Sequence, residues 1–116
     1  MAGYIGPSPV SGNQLGSIVV DTAVAGTFTD TSVSGNTTLD FSANQNFVLT
    51  LTGNITLANP TTEIVGQSGF IVFIQDGTGG RTVSLGTDYE TAGAAGITLS
   101  TAASTTDIVP YIVIAS

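Results

Sequence analysis

Cysteine, histidine, lysine and tryptophan are all absent from this 116-residue chain, and arginine occurs once, at Arg81. Without cysteine there is neither a disulfide framework nor a thiolate metal site, and the redox compartment leaves no trace in the sequence. Without histidine there is no imidazole for general acid–base work, no Ser-His triad and no ordinary zinc site. One basic residue against eight acidic ones gives a net charge of −7. Such a chain has no surface to neutralise phosphates, which excludes nucleic acid as a partner, and an anionic membrane would repel it. Charged residues of both signs make up only 8%, against roughly 25% in ordinary soluble proteins. No apolar run approaches membrane-spanning length, and the N-terminus lacks the basic-then-apolar layout of a signal peptide. Cytoplasmic synthesis followed by assembly fits that pattern.

What fills the chain instead is 41% hydrophobic residues set among threonine, serine, glycine and asparagine. Low charge with many β-branched residues suits strands and not disorder. The length allows one domain with a real core. No window shows a convincing helical period. The expectation is an all-β fold, a small antiparallel β-sandwich of jelly-roll type over 17–116, preceded by an extended N-terminal arm over 1–16.

The organising stretch is Phe70–Ile74, a short apolar run closed by glycine and polar residues, which reads as a strand buried on both faces and internal to its sheet. Phe70, Val72 and Ile74 are expected on its core side. The link Asp76-Gly77-Thr78-Gly79-Gly80 is expected to reverse the chain into the alternating Thr82–Leu85 as a hairpin. Other strands are expected at 18–20, 28–33, 39–41, 47–51, 55–57, 97–99 and 108–114, with a brief strand or helical turn at 63–65. Pro110 removes a ladder donor, which marks the last strand as an edge or a bulge.

Ser34-Gly-Asn-Thr-Thr-Leu39 is echoed by Thr52-Gly-Asn-Ile-Thr-Leu57. A two-residue hairpin at the second Gly-Asn would put Leu49 and Leu51 on the face opposite Ile55 and Leu57. A three-residue loop, or an arc between sheets, brings them together and is favoured. Two echoes fall short of the three rungs that a solenoid needs.

Candidate chemistry is sparse. Asp88 and Glu90 could share a face, but on a loop between glycines they read as solvated. The loop at Asp76, Gly77, Gly79, Gly80 and Arg81 lacks the repeated carboxylates of a calcium site and the ending of a phosphate cradle, so it reads as a structural turn. Arg81 is expected to pair with Asp76 or a carbonyl cluster. Asn36-Thr-Thr and Asn54-Ile-Thr match the glycosylation pattern, but the echoed turn explains both. Tyr89 and Tyr111 could stack on a sugar, although isolated tyrosines usually pack. No catalytic residue, metal ligand or cofactor is assigned.

A resemblance adds to this. Gly66-Gln67-x-Gly69, the apolar run, and Gln75-Asp76-x-x-Gly79-x-Arg81-Thr82 resemble a module of tailed-bacteriophage virion proteins, particularly tail fibres and surface proteins of marine phages. The opening Tyr4-Ile5-Gly6-x-x-Pro9 resembles the start of many phage tail-fibre chains. The resemblance covers most of 36–116 plus that tag, and its relatives usually continue past the equivalent of Ser116 with one more strand. It implies a non-enzymatic protein of the virion surface. The shortness of the chain favours a capsid decoration (cement) protein, with a short tail fibre or tail accessory protein as the alternative and a carbohydrate-binding module as a reading from another class. The arm reads either as a frayed terminus or as a partner-binding segment through Tyr4, Ile5, Pro7 and Pro9, docking on the major capsid protein or tail subunits. A homo-oligomer, most simply a trimer, is expected from the apolar terminal strand.

Overall fold

A computed structural model describes residues 19 and 21–116. The arm over 1–16, with Tyr4, Ile5, Pro7 and Pro9, and the strand expected at 18–20 lie outside the described residues, apart from Val19, which is not in a strand. Five strands follow in order: β1 (Thr27–Thr37), β2 (Asn46–Leu57), β3 (Ser68–Gln75), β4 (Val83–Leu85) and β5 (Thr106–Ile112). Among the described residues there is no α-helix, only a 3₁₀ turn at Ala92–Ala94. The all-β expectation holds.

The strand directions do not follow the expected antiparallel sandwich. β1 pairs with β2, β2 with β3, and β2 with β4, all parallel. Only β3 with β5 is antiparallel. The strands form one mixed sheet in the order β1-β2-β3-β5, with β4 beside the far half of β2.

Parallel neighbours joined by short loops require the chain to coil. Straight, the 11 residues of β1 would span roughly 33 Å. The eight residues returning to β2 reach about 32 Å even fully extended, and they are not extended. Asp40 Oδ1 accepts from the Ser42 and Ala43 amides at 3.0 and 3.2 Å and turns the chain there. β1 must therefore bend. The bend falls where its pairing with β2 slips, between Asp30 and Gly35. Gly35 takes a φ of 71° there, which favours glycine. Across the same bend, a side chain at Gly53 would crowd the Ser34 Cβ.

The two Gly-Asn echoes are thus corners of a coil and not hairpins. Residues 47–57 form one bent strand, and its second leg pairs with β1 and β4. The first legs of β1 and β2 stack with β3, and the second legs stack with β4. The link Asp76–Thr82 serves as the third corner, carrying the chain onward in the same direction. It is not the expected reversal. Three stacked rungs are therefore present, where the sequence offered two echoes.

Odd-numbered positions of β2 and β3 point inward. Phe47, Leu49, Leu51, Ile55 and Leu57 join Ile71, Phe73, Val33 and Val83 in the core. Leu39, Phe41 and Leu99 close it from the return loops. The first two occupy a loop and a turn where a strand was expected, and Leu99 likewise belongs to no strand. The segment 63–65 is extended into a turn, neither strand nor helix. β3 is internal, as expected, between β2 and β5. Its expected facing is reversed: Ile71 and Phe73 are buried, while Phe70 is 51% exposed and Val72 and Ile74 lie half-buried on the other side. A continuous apolar run carries no alternation to mark the inward parity, so the neighbours decide it. β5 closes the sheet as an edge strand carrying Pro110.

Candidate functional site

Three places on the molecule concentrate polar or apolar groups unusually, and each has its own chemistry.

The first is the third corner. Gln75 ends β3 on the inward parity and is 2% exposed, the one buried polar residue of the described core. Its Nε2 donates to the carbonyls of Arg81 and Ser100, both at 2.9 Å, and its Oε1 accepts from the Arg81 amide at 2.9 Å. One side chain thus ties both ends of the corner to the loop before β5. Asp76 Oδ1 accepts from the Thr78 and Gly79 amides at 3.0 and 2.9 Å. Its Oδ2 accepts from Arg81 Nη2 at 2.8 Å. The Arg81 bond and the amides hold the Asp76 carboxyl at about 2, well below the usual range. The amides that could cradle a phosphate already hold the chain's own carboxylate. Gly79 and Gly80 take φ of 74° and 73° to make the turn.

The second is an open concavity beside β4, lined by Leu85, Gly86, Thr87, Tyr89, Glu90 and Thr91. Tyr89 is half-buried against the core, not exposed as a stacking platform. Its hydroxyl is buried without a hydrogen-bond partner among the described residues. Burial first, then the carboxylates of Glu63 and Asp88, push that phenol up to about 12. Asp88 and Glu90 are both exposed. Tyr111 is a packing residue. Its ring meets Phe41 edge-on at 5.1 Å, and its hydroxyl donates to the Gln45 carbonyl at 2.6 Å. Asn54, in the glycosylation pattern, uses its Oδ1 to accept from the Thr82 amide at 3.1 Å, joining the second corner to the third.

The third is the outer face of the sheet. In the β3–β5 ladder Phe70 lies opposite Pro110, Val72 opposite Ile108 and Ser68 opposite Ile112. Val48 of β2 flanks Val72. Phe70, Ile108 and Ile112 are 51%, 63% and 64% exposed. The sequence reading had placed part of this face in the core. It also gave Gln75 no structural role, although a polar residue on the inward parity of an apolar run was the signal.

No group of three or more potential metal ligands occurs among the described residues, and no described helix is long and apolar enough to cross a membrane.

The coil of rungs, the corner loop tied together by Gln75 and Asp76, and an apolar face exposed among the described residues define a β-structured scaffold domain. Residues 22–114 match the family described as "Putative phage tail fibre C-terminal domain". The chain belongs to that family and is a structural protein of the phage virion. The match spans the coil from before β1 to beyond β5, and its description names no host or marine source. No curated protein and no solved structure matches the chain.

Proposed function

We propose that the chain serves in a phage tail fibre or tail accessory structure on the virion surface, as a non-enzymatic element and not as a capsid cement protein. The observation that supports this reading is the family match over 22–114, which takes in every strand of the described fold. The cement reading drew on the length of the chain, and the family description gives it no support. The polar groups of the corner support it as well: Gln75 and Asp76 bond to Arg81 and to backbone and so hold a loop in shape.

In this reading the segment 1–16 attaches the domain to a neighbouring virion subunit through Tyr4, Ile5, Pro7 and Pro9. Proline restricts such an arm beforehand and so lowers the entropy lost on docking. Immunogold labelling of intact particles tests the location. Label on the tail, with adsorption lowered and capsids intact when the gene is disrupted, is the expected result. Label spread over the capsid, with fragile capsids in the disruptant, would return the cement reading. Deleting residues 2–12 should leave the β domain folded but absent from particles.

A further inference from the structure

The stack of rungs has a bare end at β1. On one side β1 pairs with β2, and among the described residues no strand pairs with the other side. An edge strand of 11 residues leaves alternate amides and carbonyls there without ladder partners. The core is open at this end as well. Phe28 lies opposite the fully buried Phe47 and so faces inward, yet it is 42% exposed. In a stack each rung is covered only by its neighbours, so the end rung needs a cap.

The chain carries a segment that matches this edge, and it lies outside the described residues. Val33-Ser34-Gly35-Asn36 makes the first corner, and the same four residues recur in order as Val10-Ser11-Gly12-Asn13. That is a closer likeness than the one between the first corner and the second, Leu51-Thr52-Gly53-Asn54. Self-similarity of this kind marks stacked units. The spacing fits too: Gly12 precedes the start of β1 by 15 residues, as Gly53 precedes the start of β3 by 15. Register follows from the pair already formed. Val33 lies beside its counterpart Leu51, and both are buried, which sets Val10 beside Val33 on the inward face. Gly12 can supply the left-handed φ that Gly35 takes at its corner, 71°. Pro7 and Pro9 stand two apart, so in an extended segment their missing amides fall on one side. Turned away from β1, they break no ladder bond and blunt the new edge against further strands. No charged side chain occurs before Asp21, so the segment brings no added repulsion to an acidic chain.

We propose that residues 7–15 of the same chain dock on the free edge of β1 as one more parallel rung and so cap the coil. The proposal does not depend on the tail-fibre reading, and Tyr4 and Ile5, ahead of this rung, stay free for a neighbouring subunit. Hydrogen exchange of the full chain at low micromolar concentration tests it. The amides of 27–37 that turn away from β2 should exchange slowly, like those that turn toward it. Val10→Asp places a carboxylate on the inward face and should speed exchange over 27–37 by roughly tenfold or more while 68–75 stays protected. Ser11→Asp, on the opposite parity, should change neither. Because the chain has no cysteine, Val10→Cys combined with Val33→Cys gives a second readout that holds even if the aspartate variant fails to fold. Adjacent strands lie within reach of a disulfide, and mild oxidation should close one inside a single chain. Fast exchange along the outer side of β1 in the parent would overturn the proposal. So would a folded Val10→Asp variant that exchanges like the parent, or a Ser11→Asp variant that loses as much protection. A cysteine pair that stays reduced, or that links two chains instead of one, would overturn it equally.

Discussion

Val72 and Phe73 are neighbours on one strand, both apolar, and they lie in opposite surroundings. Phe73 is 1% exposed between Leu49 of β2 and Asp107 of β5, under the return loops. Val72 is flanked by Val48 and Ile108 on a face where, among the described residues, Phe70, Ile108 and Ile112 are exposed. The coil turns always to one side, so only one side of each strand receives the return segments with Leu39, Phe41 and Leu99. Apolar sequence states a demand for burial, and topology determines which half of that demand the chain meets by itself.

The largest way to test this contrast is Phe73→Ala. A fully buried aromatic truncated to alanine should cost about 3–5 kcal/mol, enough to unfold a domain of ordinary stability, as urea titration would read. Next, Gln75→Leu keeps volume but strands the Arg81 amide and the carbonyls of Arg81 and Ser100. We expect a loss of about 2–3 kcal/mol and a lower melting temperature. On the other face, Val72→Thr should cost under about 1 kcal/mol under conditions where the chain is dilute. A cost as large as that of Phe73→Ala would mean that the outer face is buried after all.

Asp76 gives an effect confined to acid. Its folded pKa of about 2 lies below the usual value near 3.9, so the unfolded chain binds its proton first as pH falls. The stability it contributes is complete above about pH 4 and is lost as pH falls toward 2. Asp76→Asn should therefore fall short of the parent at pH 7 and converge with it as pH falls through about 2. The smallest effect is expected at Thr29→Ala on the exposed face of β1, within about 0.5 kcal/mol.

Much of the fold could be read from the residues, and the failures have physical causes. Strand positions at 28–33, 47–51, 70–74 and 108–114 follow from β-branched runs bounded by turn residues, and no helical period competes with them. Direction was not readable. Alternation of side chains is the same in parallel and antiparallel ladders, and Gly-Asn serves equally as a hairpin turn or a bent corner. The echo misled in spacing as well. Gly35 pairs with Ile55 and not with Gly53, because the bulge shifts the register. Leu39 and Phe41 lie in a loop and a turn where a strand was expected, since a coil's core is closed partly by its loops. Of the candidate sites, the Asp76–Arg81 pair was one of two partners expected for Arg81, whereas the direction of the corner it sits in was not readable. The outer face was visible as apolar residues at both parities, yet which parity stayed uncovered depended on where the loops pass.

β5 differs from the other strands in how far its partner lies along the chain. β1 meets β2, and β2 meets β3 and β4, across one turn of the coil each. β5 must find β3 after the whole excursion through the concavity loop, with Ser68 paired to Ile112. Closing that larger loop costs more entropy before any contact forms. Loop closure alone therefore favours forming the rungs first and adding β5 last, which completes the apolar face. A chain that has not finished folding does not yet carry the full outer face, because Ile108 and Ile112 join Phe70 and Val72 only when β5 docks.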